Sequence, residues 1–267
     1  MNRFLTLPLC VLTALSFSCG GNSNISGTTV LETSPDGLTL QGTYRRQSSA
    51  EVLPTMLLIH ESGPGHDRDD FEVVWGLLEN QGFNLLAVDL RSHGQSDVAG
   101  SPDDLRLDPN GYPVDLATWL DFLQDRDDAG DPVGRDRIGI VGLGVGGSIA
   151  VAAMQTNQVN CAVAISPRVD EVAALRAGMT LRGGGDDDDS AGDDDDSAAG
   201  DEFVAATNIA FIDGTGAGSA DDTETLHGEA VDPRSLLLVD GPQSGTLILE
   251  DFDESLAVVG AWCLDKL

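Results

Sequence analysis

Basic side chains are scarce in this sequence: 14 Lys and Arg stand against 45 Asp and Glu, a formal net charge of −31. Such a chain repels phosphate backbones and anionic headgroups, which excludes nucleic acid as a partner and electrostatic docking on lipid. The acid excess speaks first to solubility. Long apolar runs are lacking as well, since the one sustained stretch, Phe4 to Phe17, is too short to span a bilayer comfortably. Cysteine is limited to four residues. Apolar residues and glycine are not in short supply. At 267 residues, with 41% hydrophobic residues and 32 glycines, the chain can bury one sizeable core and make many tight turns.

The sequence starts Met1-Asn2-Arg3, passes through the apolar run and reaches the small residues Ser18-Cys19-Gly20-Gly21, the layout of an export signal. Leu15-Ser16-Phe17-Ser18-Cys19 resembles a bacterial lipoprotein signal, with Leu15 one place further upstream than usual and a bulky Phe17 inside the box. The resemblance implies a signal peptide over residues 1–18, lipidation of Cys19, and a chain anchored to a bacterial membrane on its periplasmic or cell-surface side. An ordinary cleaved signal is the alternative. With Cys10 removed and Cys19 lipidated, Cys161 and Cys263 remain, an even pair that an oxidising compartment allows to bond or to stay as two buried thiols.

After a polar tether (residues 19–29), short apolar strand candidates alternate with segments of helical period, the pattern of βαβ units and a mainly parallel sheet of about eight strands flanked by helices. The strand candidates are Thr29 to Thr33, Leu38 to Tyr44, Met56 to His60, Asn84 to Asp89, Arg137 to Val141, Ala162 to Ser166, Asn208 to Asp213 and Ser235 to Asp240. Pro35-Asp36-Gly37 makes a hairpin of the first two. Helices are expected over Phe71 to Gln81, Pro113 to Gln124, Gly147 to Gln155, Val169 to Ala177, Asp222 to Gly228 and Asp253 to Lys266, with Trp75, Trp119, Phe122 and Trp262 on core faces. One domain over residues 30–267 is interrupted at 183–202, where Gly-Asp-Asp-Asp-Asp-Ser-Ala occurs at Gly185 and again at Gly192. The eight aspartates of the two repeats, with no apolar side chain larger than alanine among them, cannot offset ordering entropy, so this insert reads as a disordered surface loop. It has no EF-hand spacing and suggests at most weak cation binding.

Leu57-Leu58-Ile59-His60-Glu61-Ser62-Gly63-Pro64-Gly65, followed by Asn84-Leu85-Leu86-Ala87-Val88-Asp89-Leu90-Arg91-Ser92-His93-Gly94-Gln95-Ser96-Asp97, resembles two neighbouring strands and loops of the α/β-hydrolase family, nearest to serine aminopeptidases and dienelactone hydrolase. The resemblance implies that fold across nearly the whole mature chain, and a Ser nucleophile in a strand-to-helix elbow of the form G-x-S-x-G. Here the elbow reads Gly142-Leu143-Gly144-Val145-Gly146-Gly147, with Gly144 at the nucleophile position. The His is expected in a G-x-x-H-G frame after the last strand, and Gly241-Pro242-Gln243-Ser244-Gly245 places Ser244 there. The acid position falls on Gly216 or Ala217, with Asp213 too early and Asp221 too late. A hydroxyl, an imidazole and an orienting carboxylate are all required by the triad chemistry.

Three functions are therefore weighed. The first is a non-catalytic hydrolase-fold protein binding a small molecule or a protein partner. The second is a weak ester, lactone or amide hydrolase with a relocated nucleophile, drawn from a residual pocket of His60, Ser62, His66 and Ser166. The third is a structural or cation-binding surface protein acting through the Asp-rich loop. His60 and His93 are otherwise expected to be structural, His66 and His227 solvated, and Ser148, one helical turn past Gly144, packed inward. His60, Glu61, His66 and Asp67 have residue types suited to zinc but no recognised ligand spacing, so neither a metal nor a cofactor is expected.

Overall fold

The computed structural model describes residues 25–49, 51–131, 133–179, 205–251 and 253–267. The signal peptide, Cys19, most of the tether and the whole acidic insert 183–202 lie outside them.

Eight strands form one sheet in the order β1-β2-β4-β3-β5-β6-β7-β8. They are β1 (Thr28–Thr33), β2 (Thr39–Arg45), β3 (Leu53–Ile59), β4 (Asn84–Val88), β5 (Val133–Leu143), β6 (Cys161–Ile165), β7 (Ile209–Gly214) and β8 (Arg234–Val239). β2 runs antiparallel to both β1 and β4, and every pairing from β4 through β8 is parallel. The Ser34 to Leu38 hairpin turn closes through Gly37 N–H donating to Ser34 O at 2.8 Å, with Gly37 at φ +88. A mainly parallel sheet of about eight strands is what the alternation predicts.

Parallel strands covered on both faces carry apolar residues on both, alternating by the two-residue pleat. Leu57, Ile59, Leu86, Val88, Ile140 and Phe211 enter one core cluster, and Met56, Leu58, Leu85, Val141, Val163 and Ile212 the other. Onto the first pack α3 (Tyr112–Asp128), α4 (Val145–Gln155), α5 (Val169–Arg176) and α6 (Ala220–Glu229). Onto the second pack α1 (Glu72–Asn80), α7 (Thr246–Asp251) and α8 (Asp253–Trp262). A four-residue α2 (Pro102–Leu105) lies between β4 and α3. Among the described residues no helix is long and apolar enough to cross a membrane.

Several expectations need correction. The first predicted helix begins as a 3₁₀ turn, Arg68–Phe71, because Asp67 caps it by accepting from Asp69 N–H at 2.9 Å. α2 and α7 are too short to leave a periodic signal. The last predicted helix stops at Trp262 and gives way to a 3₁₀ turn, Cys263–Asp265. Trp75, Trp119 and Phe122 are buried, whereas Trp262 is half-buried, its indole N–H donating to Asn208 O at 3.2 Å. His227 is not a solvated loop residue: it lies in α6 with its ring edge-on to Phe211 at 5.9 Å.

Cys161, opening β6, and Cys263, after α8, are bonded to each other, which settles the alternative left open by the sequence. The bridge joins the middle of the sheet to the helical layer across 102 residues, and both sulfurs sit in the fully buried second core. Closing so long a loop removes much denatured-state freedom. Replacing both cysteines by Ala is expected to lower the unfolding free energy by about 2–5 kcal/mol. Urea titration of the oxidised protein against the double variant reads this directly, and equal midpoints would contradict it.

Candidate functional site

β5 delivers the chain to α4 through one sharp turn. Gly144, at φ +53 and ψ −116, makes that turn, and its N–H donates to Ile165 O at 2.9 Å. The glycines around it permit backbone contact that a side chain would block. A Cβ on Gly146 would fall against Ile59 O of β3, and one on Gly147 would lie 2.6 Å from Ile165 O of β6. The glycine spacing thus seats the N-terminus of α4 on three adjacent strands.

The space above Gly144 belongs to Glu61. A Cβ added to Gly144 would lie 2.7 Å from Glu61 Cγ and 3.1 Å from its Cδ. A Cβ on Gly245, beyond β8 and at φ +56, would fall on the Glu61 carboxylate itself. This one side chain therefore bridges the elbow and the loop where the resemblance places the base. The sequence shows Glu61 only as a weak metal candidate; the readable signal was that two glycines frame the place it fills.

Neither Gly216 nor Ala217 presents a carboxylate. Gly216 N–H donates to Gly241 O at 2.8 Å, and Ala217 N–H to Gly214 O at 3.0 Å, which ties the loop after β7 to the loop after β8. Asp213, fully buried in β7, instead reaches Ser166. The Ser166 hydroxyl donates to Asp213 Oδ1 at 2.8 Å and accepts from Gly245 N–H at 2.9 Å, while Thr223 Oγ donates to Asp213 Oδ2 at 2.8 Å. Ser166 holds φ +53, a left-handed conformation costly for a residue with a Cβ. It pins the ends of β6, β7 and β8 together, a partnership that sequence spacing could not reveal.

The residual pocket expected from His60, Ser62, His66 and Ser166 forms only in part. A cavity of about 230 Å³ opens at the elbow, and Ser62, Ser166 and Ser244 line it together with Glu61 and Gly144. His60 and His66 do not. His60 is fully buried, its Nδ1–H donating to Glu61 O at 2.6 Å and its Nε2 accepting from Leu90 N–H at 3.0 Å. His93 repeats the arrangement, with Nδ1–H on Arg91 O at 3.0 Å and Nε2 accepting from Gly63 N–H at 3.1 Å. Both rings brace the β3 and β4 loops and have no lone pair left for a hydroxyl proton. Burial pushes the His60 pKa from 6.5 down to about 3 and lowers that of His93. His66 is hydrogen-bonded through Nδ1 to Asp70 Oδ2 at 2.9 Å rather than simply solvated.

Both arginines that line the cavity are paired, Arg106 with Glu171 and Arg168 with Asp170. Ser148 is buried and donates to Glu171 Oε2 at 2.8 Å while accepting from Arg168 N–H at 3.0 Å. Glu171 also meets Arg106 at 3.0 Å, and burial raises its pKa despite both partners. Among the described residues no three His, Cys, Asp or Glu side chains are grouped so as to hold a metal ion.

Because His60 is neutral when folded and free to protonate when unfolded, its contribution to stability is complete above about pH 6.5 and is lost as the pH falls toward 3. The stability advantage of the wild type over a His60→Asn variant should therefore shrink on acidification, by at most about 1.4 kcal/mol per pH unit. Urea titrations from pH 7 to pH 4 check it; a constant difference would show that the ring is not held neutral.

The alpha/beta hydrolase family model matches residues 56–263. No curated protein sequence matches the chain. Among solved structures, an esterase from Pyrococcus furiosus is 17% identical with a TM-score of 0.63, over 91% of each chain. Dienelactone hydrolase from Anabaena variabilis is 15% identical with a TM-score of 0.59, over 90% of this chain and 96% of that one. A hypothetical protein from Pseudomonas aeruginosa is 16% identical with a TM-score of 0.62 over the full length of both. At these identities the structural likeness is one of fold, and the family match spans most of the sequence: the chain belongs to the α/β-hydrolase family.

Proposed function

We propose that this protein is a pseudoenzyme of that family, which uses the crevice at its elbow to bind a small ligand or a partner and does not hydrolyse it. The observation that carries this reading is the Gly144 turn, whose geometry suits a nucleophile while Glu61 fills the volume a nucleophile would need. The nearby hydroxyls are poor substitutes. Ser166 donates to a carboxylate and Ser148 donates to Glu171, so neither meets an imidazole that could take its proton. His60 and His93 are consumed by backbone groups.

Export and anchoring belong to the same proposal. The basic start, apolar run and Cys19 support a lipoprotein, and the Cys161–Cys263 bond is the kind an oxidising compartment maintains. One observation favours a weak hydrolase instead: Asp70 holds His66 through Nδ1, leaving Nε2 without a hydrogen bond among the described residues. That pairing is how a general base is oriented, although His66 stands outside the cavity lining.

Fluorophosphonate labelling with peptide mapping, run beside a short-chain nitrophenyl ester assay on the purified chain, separates the two. Loss of the nucleophile in a hydrolytic triad costs on the order of 10⁶ in turnover, so neither labelling nor turnover above a heat-denatured control is expected. Labelling of Ser62, with turnover lost in both Ser62→Ala and His66→Ala, would replace the pseudoenzyme reading with the hydrolase.

A further inference from the structure

Around the elbow cavity, the two arginines are paired with carboxylates and two further carboxylates are not paired among the described residues. Arg106 meets Glu171 at 3.0 Å, and Arg168 meets Asp170 at 3.4 Å. The half-buried Glu61 carboxylate, which shares the cavity lining with Arg106 and Arg168, accepts no hydrogen bond and forms no ion pair among the described residues. It lies over the glycine turn at the N-terminus of α4, whose dipole offsets part of its charge without supplying a counter-ion. Asp103, exposed at the cavity, adds a second carboxylate with no ion pair among the described residues. A half-buried carboxylate at the mouth of a cavity, with no ion-pair partner among the described residues, is placed to meet a cation brought by a ligand.

The lining narrows the kind of cation. A metal ion would need several protein donors, and no three such groups are assembled among the described residues. A quaternary ammonium is best held by aromatic faces, and among the described residues no aromatic side chain lines this cavity. What the lining does offer is hydroxyls, on Ser62, Ser219 and Ser244, beside the Glu61 carboxylate. These match the three N–H donors of a primary ammonium. The volume, about 230 Å³, is below the range of drug-sized sites and suits a small molecule. The chain's net charge of −31 would draw cations toward it.

We propose that the elbow cavity binds a small primary amine, its ammonium seated on Glu61 above Gly144 and its polar remainder among the serine hydroxyls. This rests on the pseudoenzyme reading and names the ligand class of the same site. The occupant takes the place of the substrate, and Glu61 serves as its recognition group.

Calorimetric titration of the oxidised full chain with ethanolamine tests it, with tetramethylammonium and acetate as comparison ligands. Ethanolamine should bind more tightly than either, weaken as salt is raised, and lose at least about tenfold in affinity in Glu61→Gln. Glu61→Asp, which keeps the charge but shortens its reach, should retain part of the affinity. Circular dichroism and urea midpoints of both variants show whether they fold; if Glu61→Gln does not, the Glu61→Asp affinity and the salt dependence decide alone. Absence of ethanolamine binding, equal affinity in a folded Glu61→Gln variant, or tighter binding of acetate would each overturn the proposal. Ester turnover measured on the same samples separates the two readings: turnover without amine binding defeats both, no turnover and no binding defeats this one alone, and Glu61-dependent binding with turnover defeats only the pseudoenzyme reading.

Discussion

Backbone-to-backbone contact where β5 meets α4 is the constraint on which the site depends. Gly142, Gly146 and Gly147 let the first turn of α4 rest against carbonyls of β3 and β6 at distances that no Cβ would allow. That contact fixes the direction in which β5 exits the sheet and the left-handed turn at Gly144. It also sets the height of the end of β3, where Glu61 begins. Every cavity group is measured from this point: Ser62 follows Glu61, Ser166 ends β6 alongside, and the Ser244 loop is drawn in by the Ser166 hydroxyl holding Gly245 N–H.

Around this point the loops are held by buried polar groups with opposed responses to acid. His60 favours the folded state at higher pH because it is held neutral. Asp89, fully buried, accepts from Arg68 N–H at 3.0 Å and Gln95 N–H at 2.8 Å and pairs with the Arg68 guanidinium, yet desolvation still raises its pKa to about 6. Asp115, bound to Arg91, is raised to about 6 for the same reason. A carboxyl with a raised folded pKa weakens folding as the pH climbs from its ordinary 3.8 toward 6. The loop framework thus sets two carboxyls with raised pKa values against two imidazoles, His60 and His93, with lowered ones. Gly94, at φ +51, is required here because a Cβ would fall on the Asp89 carboxylate.

The sheet was legible because its signal is local. Alternation of Met56 and Leu58 against Leu57 and Ile59 states both that the strand is buried on two faces and which residues go to which. The glycines of the elbow were legible for the same reason, since their spacing alone carries the demand for close approach. The site was less so. Glu61 became its centre through the absence of side chains at Gly144 and Gly245, residues 83 and 184 positions further along the sequence. Ser166 found Asp213 across two strands, and His60 found Leu90 across a loop. Such pairings depend on which strands become neighbours, which no window of sequence contains. α7 was hidden for a different reason: six residues are too few to display a helical period.

The occupancy of the elbow by Glu61 has an evolutionary side. A serine introduced at Gly144 would meet the Glu61 side chain at its Cβ, before its hydroxyl had reached any partner. With Ser244 at the base position that the family resemblance implies, moving Glu61 first would gain nothing catalytic, because a serine offers no imidazole. A histidine at Ser244 would in turn have no nucleophile to serve. On the pseudoenzyme reading, each single step toward a triad lacks the others' support, so the Glu61 carboxylate would act as a ratchet that keeps the crevice to what it binds.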